Sequence, residues 1–319
     1  MNEPGPDRSS PRVGSAVAIA AAVICLVGLG VRLSIRDSID ATGIVYYATP
    51  WPVLAATVML MAGGLRLRNH SRWTRPVATV GLISLASWLF LSYSTSSTPR
   101  LAPSALTCLS WNTDHGRAGW SRIAQAIRSE PVDLVCLVEA GPTEPAHERF
   151  WQAAFPDHAT GNLGSGILVL VRDGTIRQVG SGSIDGNARF RQFDVSCRGE
   201  RLTVLVVDVR STPWVSRRSA LEKLVRLIKP LDDRPVLITG DFNTPSDSAC
   251  FDTWRTPLKN AWEAAGNGFR PTWPVPLPML DLDQCWGNRH VDFVRCRGGW
   301  SSWSDHRPLI TTFTVNRPQ

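Results

Sequence analysis

The chain has 319 residues, 43% hydrophobic and 19% charged, a composition that excludes a disordered or low-complexity polypeptide. Its net charge of +7 is unevenly spread: residues 1–100 carry nine Arg and four acids, whereas the rest carries 25 basic and 23 acidic residues. The basic excess sits beside apolar segments and the larger part is nearly neutral, so the charge argues against a nucleic-acid-binding surface.

Residues 1–12 are polar and contain Pro4, Pro6 and Pro11, which predicts a disordered tail. Three uncharged runs follow, at 13–31, 41–65 and 76–99. Each is long enough to cross a bilayer core of ~30 Å at ~1.5 Å per residue. They predict a membrane region over 13–94, with three transmembrane helices at about 13–33, 45–65 and 76–94. Pro50 and Pro52, beside Tyr46, Tyr47 and Trp51, suit the membrane interface and shift the second span toward 51–65. Arg8, Arg12, Arg66, Arg68, Arg72 and Arg75 would lie inside, and Arg32, Arg36 and Arg100 outside. The positive-inside pattern therefore predicts a multi-pass protein of the cell membrane with its large domain extracytoplasmic.

Residues 95–104 read as a linker and 105–319 as one large domain. That domain holds six of the seven Cys, and two readings stand: disulfides, for which Cys285 and Cys296 could face each other, or small buried hydrophobes. Apolar strands are predicted at 105–112, 133–139, 165–173, 190–197, 201–209, 235–243, 290–296 and within 303–315. Amphipathic helices are predicted at 120–130 and 216–229. This alternation predicts an α/β or α+β fold with stacked sheets.

Several of these strands begin or end on a polar residue: Asn112, Glu139, Asp208, Asp241 with Asn243, and Asp305 with His306. One Asp or Asn at a strand end is an ordinary turn residue. Five such ends predict convergence on one edge, where carboxylates avoid the cost of burial by holding a hard cation and a phosphate.

SWNTD (110–114), CLVEA (136–140), GDFN (240–243) and SDHRP (304–308), in this order, resemble the endonuclease/exonuclease/phosphatase superfamily over about residues 105–315. The resemblance implies a four-layer sandwich, two β-sheets flanked by helices, and matches the membrane-anchored bacterial type. It implies Mg²⁺ or Mn²⁺ held by Glu139, with Asn112, Asp114 and Asp305 around the metal. It makes Asp241 the residue that orients or deprotonates the attacking water, Asn243 its phosphate-holding neighbour, and His306, held by Asp305, the phosphate contact. A further acid is implied before the final Asp-His pair, where Asp283 is preferred to Asp292 on spacing.

The departure is Asp208, where the family usually has His. Three outcomes follow from that carboxylate: Arg210 restores the charge, a second metal binds, or catalysis is impaired. His115 reads as a surface-loop residue.

The expected activity is metal-dependent phosphoester hydrolysis on a lipid-linked or small phosphorylated substrate at the membrane. An extracytoplasmic nuclease and an impaired binding protein are the alternatives. Most of the ten Trp of the large domain read as core packing; Trp214, Trp273, Trp300 and Trp303, near the predicted site loops, together with the membrane tether and the near-neutral charge, favour a lipid-linked or small-molecule phosphoester over a nucleic acid.

Overall fold

The computed structural model describes residues 9–68, 71–96, 101–212 and 214–316. The chain divides into two units, Met1–Ser92 and Tyr93–Gln319.

The first unit is helical: α1 (Ser9–Leu33), α2 (Asp40–Ala48), α3 (Trp51–Leu67) and α4 (Ser71–Leu91). The expected tail is shortened, because α1 starts at Ser9, while residues 1–8 lie outside the described residues. Two stretches, Arg12–Leu33 and Arg72–Leu91, are long and apolar enough to cross a membrane. The expected middle span is not one helix: α2 and α3 meet at a bend of 66°, so the described residues hold two candidate spans, or three if the bent pair crosses as one. Pro50 and Pro52 explain the break, since proline lacks the N–H that would continue the helical ladder. Arg32, read from the sequence as a loop charge, is buried and donates to the carbonyls of Thr49 and Tyr46, at the C-terminal end of α2.

The second unit begins with β1 (Tyr93–Ser94) and β2 (Leu106–Asn112), followed by α5 (Trp120–Arg128), β3 (Leu134–Val138), α6 (Pro145–Ala154), β4 (His158–Thr160) and β5 (Leu168–Arg172). The long strands β6 (Gly174–Ile184), β7 (Ala188–Cys197) and β8 (Glu200–Val209) come next, then α7 (Arg218–Ile228) and β9 (Val236–Asp241). The chain continues through β10 (Lys259–Asn260), α8 (Ala261–Ala265), β11 (Gly268–Phe269), β12 (Asp283–Gly287), β13 (Val291–Gly298) and β14 (Leu309–Val315). Two six-stranded mixed sheets form, in the orders β13-β14-β2-β3-β5-β4 and β10-β12-β9-β8-β7-β6. Tyr93 and Ser94, assigned from the sequence to the end of the membrane region, pair with Phe269 and Gly268 inside this unit.

Both faces of the central strands are buried, and the two-residue strand period sorts their side chains into layers. Leu106 and Cys108 on β2 point inward with Val204 and Val206 on β8, forming the core between the sheets. Leu109 and Trp111 point outward onto α5. Leu205 and Val207 point outward onto α7, beside the stacked Phe251 and Trp286. All seven Cys are free thiols, and the six of this unit are buried. The disulfide reading thus gives way to the hydrophobic one: Cys285 and Cys296 lie on β12 and β13, in different sheets.

Candidate active site

The same period that builds the inner core carries functional residues to its end. Counting inward positions along β2 from Leu106 and Cys108 reaches Asn112, and along β8 from Val204 and Val206 reaches Asp208. Register does the rest. Asp208 lies opposite Asp241, and Asp241 opposite Asp283, so three carboxylates stand in one row across adjacent strands. Arg189 on β7 continues the row beyond Asp208. Gly240 is required beside Asp241: its φ is +138°, and a Cβ there would lie 2.0 Å from the Val207 carbonyl oxygen.

Such a row is costly unless charges are balanced. His306 supplies the balance at one end. Its Nδ1 lies 2.7 Å from Asp283 Oδ2, while its Nε2 lies 3.8 Å from Asp241 and 4.0 Å from Asp305. The partner that holds His306 is therefore Asp283, not Asp305 as expected from the sequence. Asp305 is a half-exposed loop residue that accepts a hydrogen bond from Trp273 Nε1 at 3.0 Å. Burial works to lower the basicity of His306, but Asp283 and Asp241 override it and raise its pKa to about 10. The loop is fixed from behind: Trp111 Nε1 donates to the His306 carbonyl, Ser304 Oγ to the Asn112 carbonyl, and the Arg307 guanidinium to the carbonyls of Gly299, Phe269 and Pro271.

Asp241 is fully buried and accepts from Asn112 Nδ2, Asn243 Nδ2 and Asn243 N, all within 2.9 Å. Burial, opposed by His306 and reinforced by Asp283, raises its pKa to about 8. Asn243 directs its side-chain donors to Asp241 and to the Val209 carbonyl and so orients the carboxylate, a contact that the sequence did not reveal. Asp292, the rejected candidate, pairs with Lys259 at 2.9 Å at the surface.

A second group of oxygens comes from the facing sheet. Asn112 Oδ1 accepts the Asp114 N–H, and Asp114 is raised by burial and by the charge of Asp305. Glu139 follows β3 with a φ of 52°, and Asp114, His115 and Asn243 also have positive φ, a concentration of backbone strain at one place. His115 was read as an ordinary surface residue; its side chain is exposed, yet its Nε2 stands 3.3 Å from Glu139. Nothing in the spacing of the DHG segment signals that contact.

Asp114, whose proton affinity is raised by burial and by the charge of Asp305, is the kind of carboxylate a hard divalent cation relieves, and Glu139 and Asn112 Oδ1 are oxygen donors of the type such an ion takes. Asp241, Asp283 and His306 also bring ligand atoms within 4.8 Å of one another. There the imidazole lies between two acidic side chains, with Nδ1 on Asp283 and Nε2 toward Asp241, an arrangement that suits proton handling better than metal ligation. Asp208 lies within reach of the Glu139 charge, and its ion-pair partner is Arg189, not the Arg210 expected from the sequence. It pairs with Arg189 at 2.7 Å, and burial raises its pKa against the pull of that guanidinium.

A family model described as the Endonuclease/Exonuclease/phosphatase family matches residues 109–306. No curated protein sequence matches the chain. Among solved structures, an endonuclease/exonuclease/phosphatase from Bacteroides vulgatus is 17% identical, with a TM-score of 0.54, over 66% of this chain and 99% of that one. A humanized D. rerio TDP2 is 18% identical, with a TM-score of 0.53, over 66% of this chain and 100% of that one. A mannosyl-6-phosphatase from Bacteroides thetaiotaomicron is 14% identical, with a TM-score of 0.51, over 66% of this chain and 100% of that one. At these identities the likeness is one of fold.

Proposed function

The chain belongs to the endonuclease/exonuclease/phosphatase family, and from that premise we propose that it is a membrane-anchored, divalent-metal-dependent phosphoester hydrolase acting on a lipid-linked or small phosphorylated substrate. The observation that carries the reading is the row of Asp208, Asp241 and Asp283 with His306 seated on it.

Mg²⁺ or Mn²⁺ held by Glu139, with Asp114, Asp305 and Asn112 beside it, would supply charge neutralisation at the phosphoryl oxygens. The protein's own groups supply the rest. Asp241, its proton affinity raised by burial and its orientation fixed by Asn112 and Asn243, is suited to align a water and take up its proton. His306 is bound to Asp283 through Nδ1, which leaves Nε2–H facing Asp241 and Asp305, where it can donate to the oxygen that gains charge.

Two features support a lipid-linked substrate at a membrane. The first unit contains helices of spanning length. Loops next to the site expose apolar side chains: Trp214 (72%) beyond β8, Leu277 (76%) ahead of β12 and Trp300 (64%) ahead of Asp305. Such residues favour the bilayer interface. An extracytoplasmic site follows from the Arg pattern of the sequence.

The test uses the full chain in phospholipid vesicles, offered a lipid phosphoester, a soluble aryl phosphate and plasmid DNA, with Mg²⁺ or EDTA. Metal-dependent release, highest from the lipid phosphoester, is expected. DNA cleavage without release from either phosphoester would refute the substrate class, and inertness toward all three would refute the hydrolase.

A further inference from the structure

We infer that Arg189, held in place by Asp208, is the guanidinium that grips the phosphoryl oxygens of the substrate at this site. The inference rests on the hydrolase reading above and names a residue that this reading does not use. It also explains why the strand end at 208 can carry an acid.

Asp208 is an inward-facing carboxylate one strand from Asp241, with its side chain 7% exposed. Alone, it would repel an anionic substrate and destabilise the ionised row. Arg189 removes both problems. The two residues are direct cross-strand partners in the β7–β8 ladder, which keeps every residue pair from Ala188↔Val209 to Cys197↔Glu200 in register. They therefore share the inner face, and the register keeps their Cα positions opposite each other.

The contact engages one nitrogen, Nη2, at 2.7 Å, while half of the Arg189 side chain remains exposed. A guanidinium has five N–H donors in a planar fork, so the rest of the fork is available for a phosphoryl group. A fork anchored on one edge by a buried carboxylate has already lost its rotamer freedom, so less is lost on binding.

The other cations at the mouth are placed differently. His115 faces Glu139 and Arg117 faces Asp114, each at 3.3 Å, and both carboxylates are in the proposed cation set. Arg210 is exposed. Arg189 is the cation that lies in the same row as Asp241 and Asp283. Asp208 is then a positioning residue, and Arg189 binds the substrate. The ligand class is a tetrahedral phosphoryl oxyanion.

Calorimetric binding of inorganic phosphate, with Mg²⁺ present, to the full chain in detergent micelles tests this directly. Arg189→Ala is expected to weaken binding about 10- to 100-fold, the range of a lost charge-assisted pair. Arg189→Lys should recover part of it, because the charge returns without the fork. Asp208→Asn should weaken binding several-fold in the wild-type background and add nothing once Arg189 is Ala. KM for a soluble phosphoester should rise in parallel.

Phosphate affinity and KM within twofold of wild type in Arg189→Ala, with only a lower melting temperature, would make the pair a structural ion pair and overturn the inference. So would wild-type protein that binds no phosphate. Phosphate binding that depends on Arg189, without turnover of any phosphoester, would instead refute the hydrolase reading and leave the role of Arg189 standing.

Discussion

Replacing Asp283 by Asn separates the charge of the Asp283–His306 pair from its shape. The substitution is nearly isosteric and retains an oxygen that can accept from Nδ1 at the present 2.7 Å. What disappears is the negative charge that, with Asp241, lifts His306 from 6.5 to about 10. Burial then acts with less opposition and lowers the imidazole pKa, so His306 loses its proton at a lower pH than in wild type. Deleting one partner of a buried ion pair costs ~3–5 kcal/mol, and a retained hydrogen bond brings this nearer ~1–3 kcal/mol. The catalytic loss should exceed the loss of stability: positioned acid–base groups contribute about 10²–10⁴ in rate. The assay is kcat/KM for a soluble phosphoester from pH 5 to 9, with Tm measured alongside. Asp283→Asn should lower kcat at least a hundredfold at neutral pH and shift the remaining activity to lower pH. A rate within threefold of wild type, with an unchanged pH profile, would refute this account of His306.

Other outcomes follow from the same geometry. His306 has a folded pKa above its unfolded value, so its contribution to stability is complete below pH 6.5 and is lost as pH rises through about 10. Urea unfolding should track that loss in wild type and show a smaller slope in His306→Gln. Trp254 is fully buried in an aromatic cluster with Phe242, Phe251 and Trp286, and Trp254→Ala should cost ~3–5 kcal/mol by urea denaturation. Burial raises the thiols of Cys197 and Cys296 to about 11 and about 12, so native protein should react slowly with thiol reagents at pH 8 and release all seven thiols when unfolded without reductant.

Much of the site was legible because it sits in contiguous motifs at strand ends. GDFN and SDHRP brought Asp241, Asn243 and His306 into view, and the two-residue period accounts for their common face. Pairing was not legible. Which carboxylate holds His306 depends on β12 meeting β9 in register, and β12 is only five residues long, DQCWG, too short for a periodic signal. Strand β6 was hidden for another reason: GTIRQVGSGSI, at a sheet edge, is mostly exposed and too rich in Gly and Ser to read as a strand. The contact of Asp208 with Arg189, rather than Arg210, likewise comes from cross-strand register and not from proximity along the chain. In the first unit, hydropathy marked the apolar runs but could not show that Pro50 and Pro52 bend the middle one by 66°.

The central claim is that oxygen ligands around Glu139 and the row containing Asp241 form one metal-dependent hydrolytic site. The most direct measurement is the initial rate of phosphate release from a soluble phosphoester by the full chain, with Mg²⁺, Mn²⁺ or EDTA, for wild type, Glu139→Gln and Asp241→Ala. The account predicts release by wild type only with metal, and a loss of at least a hundredfold in each variant at saturating substrate, with folding intact by circular dichroism. Release that persists in EDTA, or survives both substitutions, would contradict it.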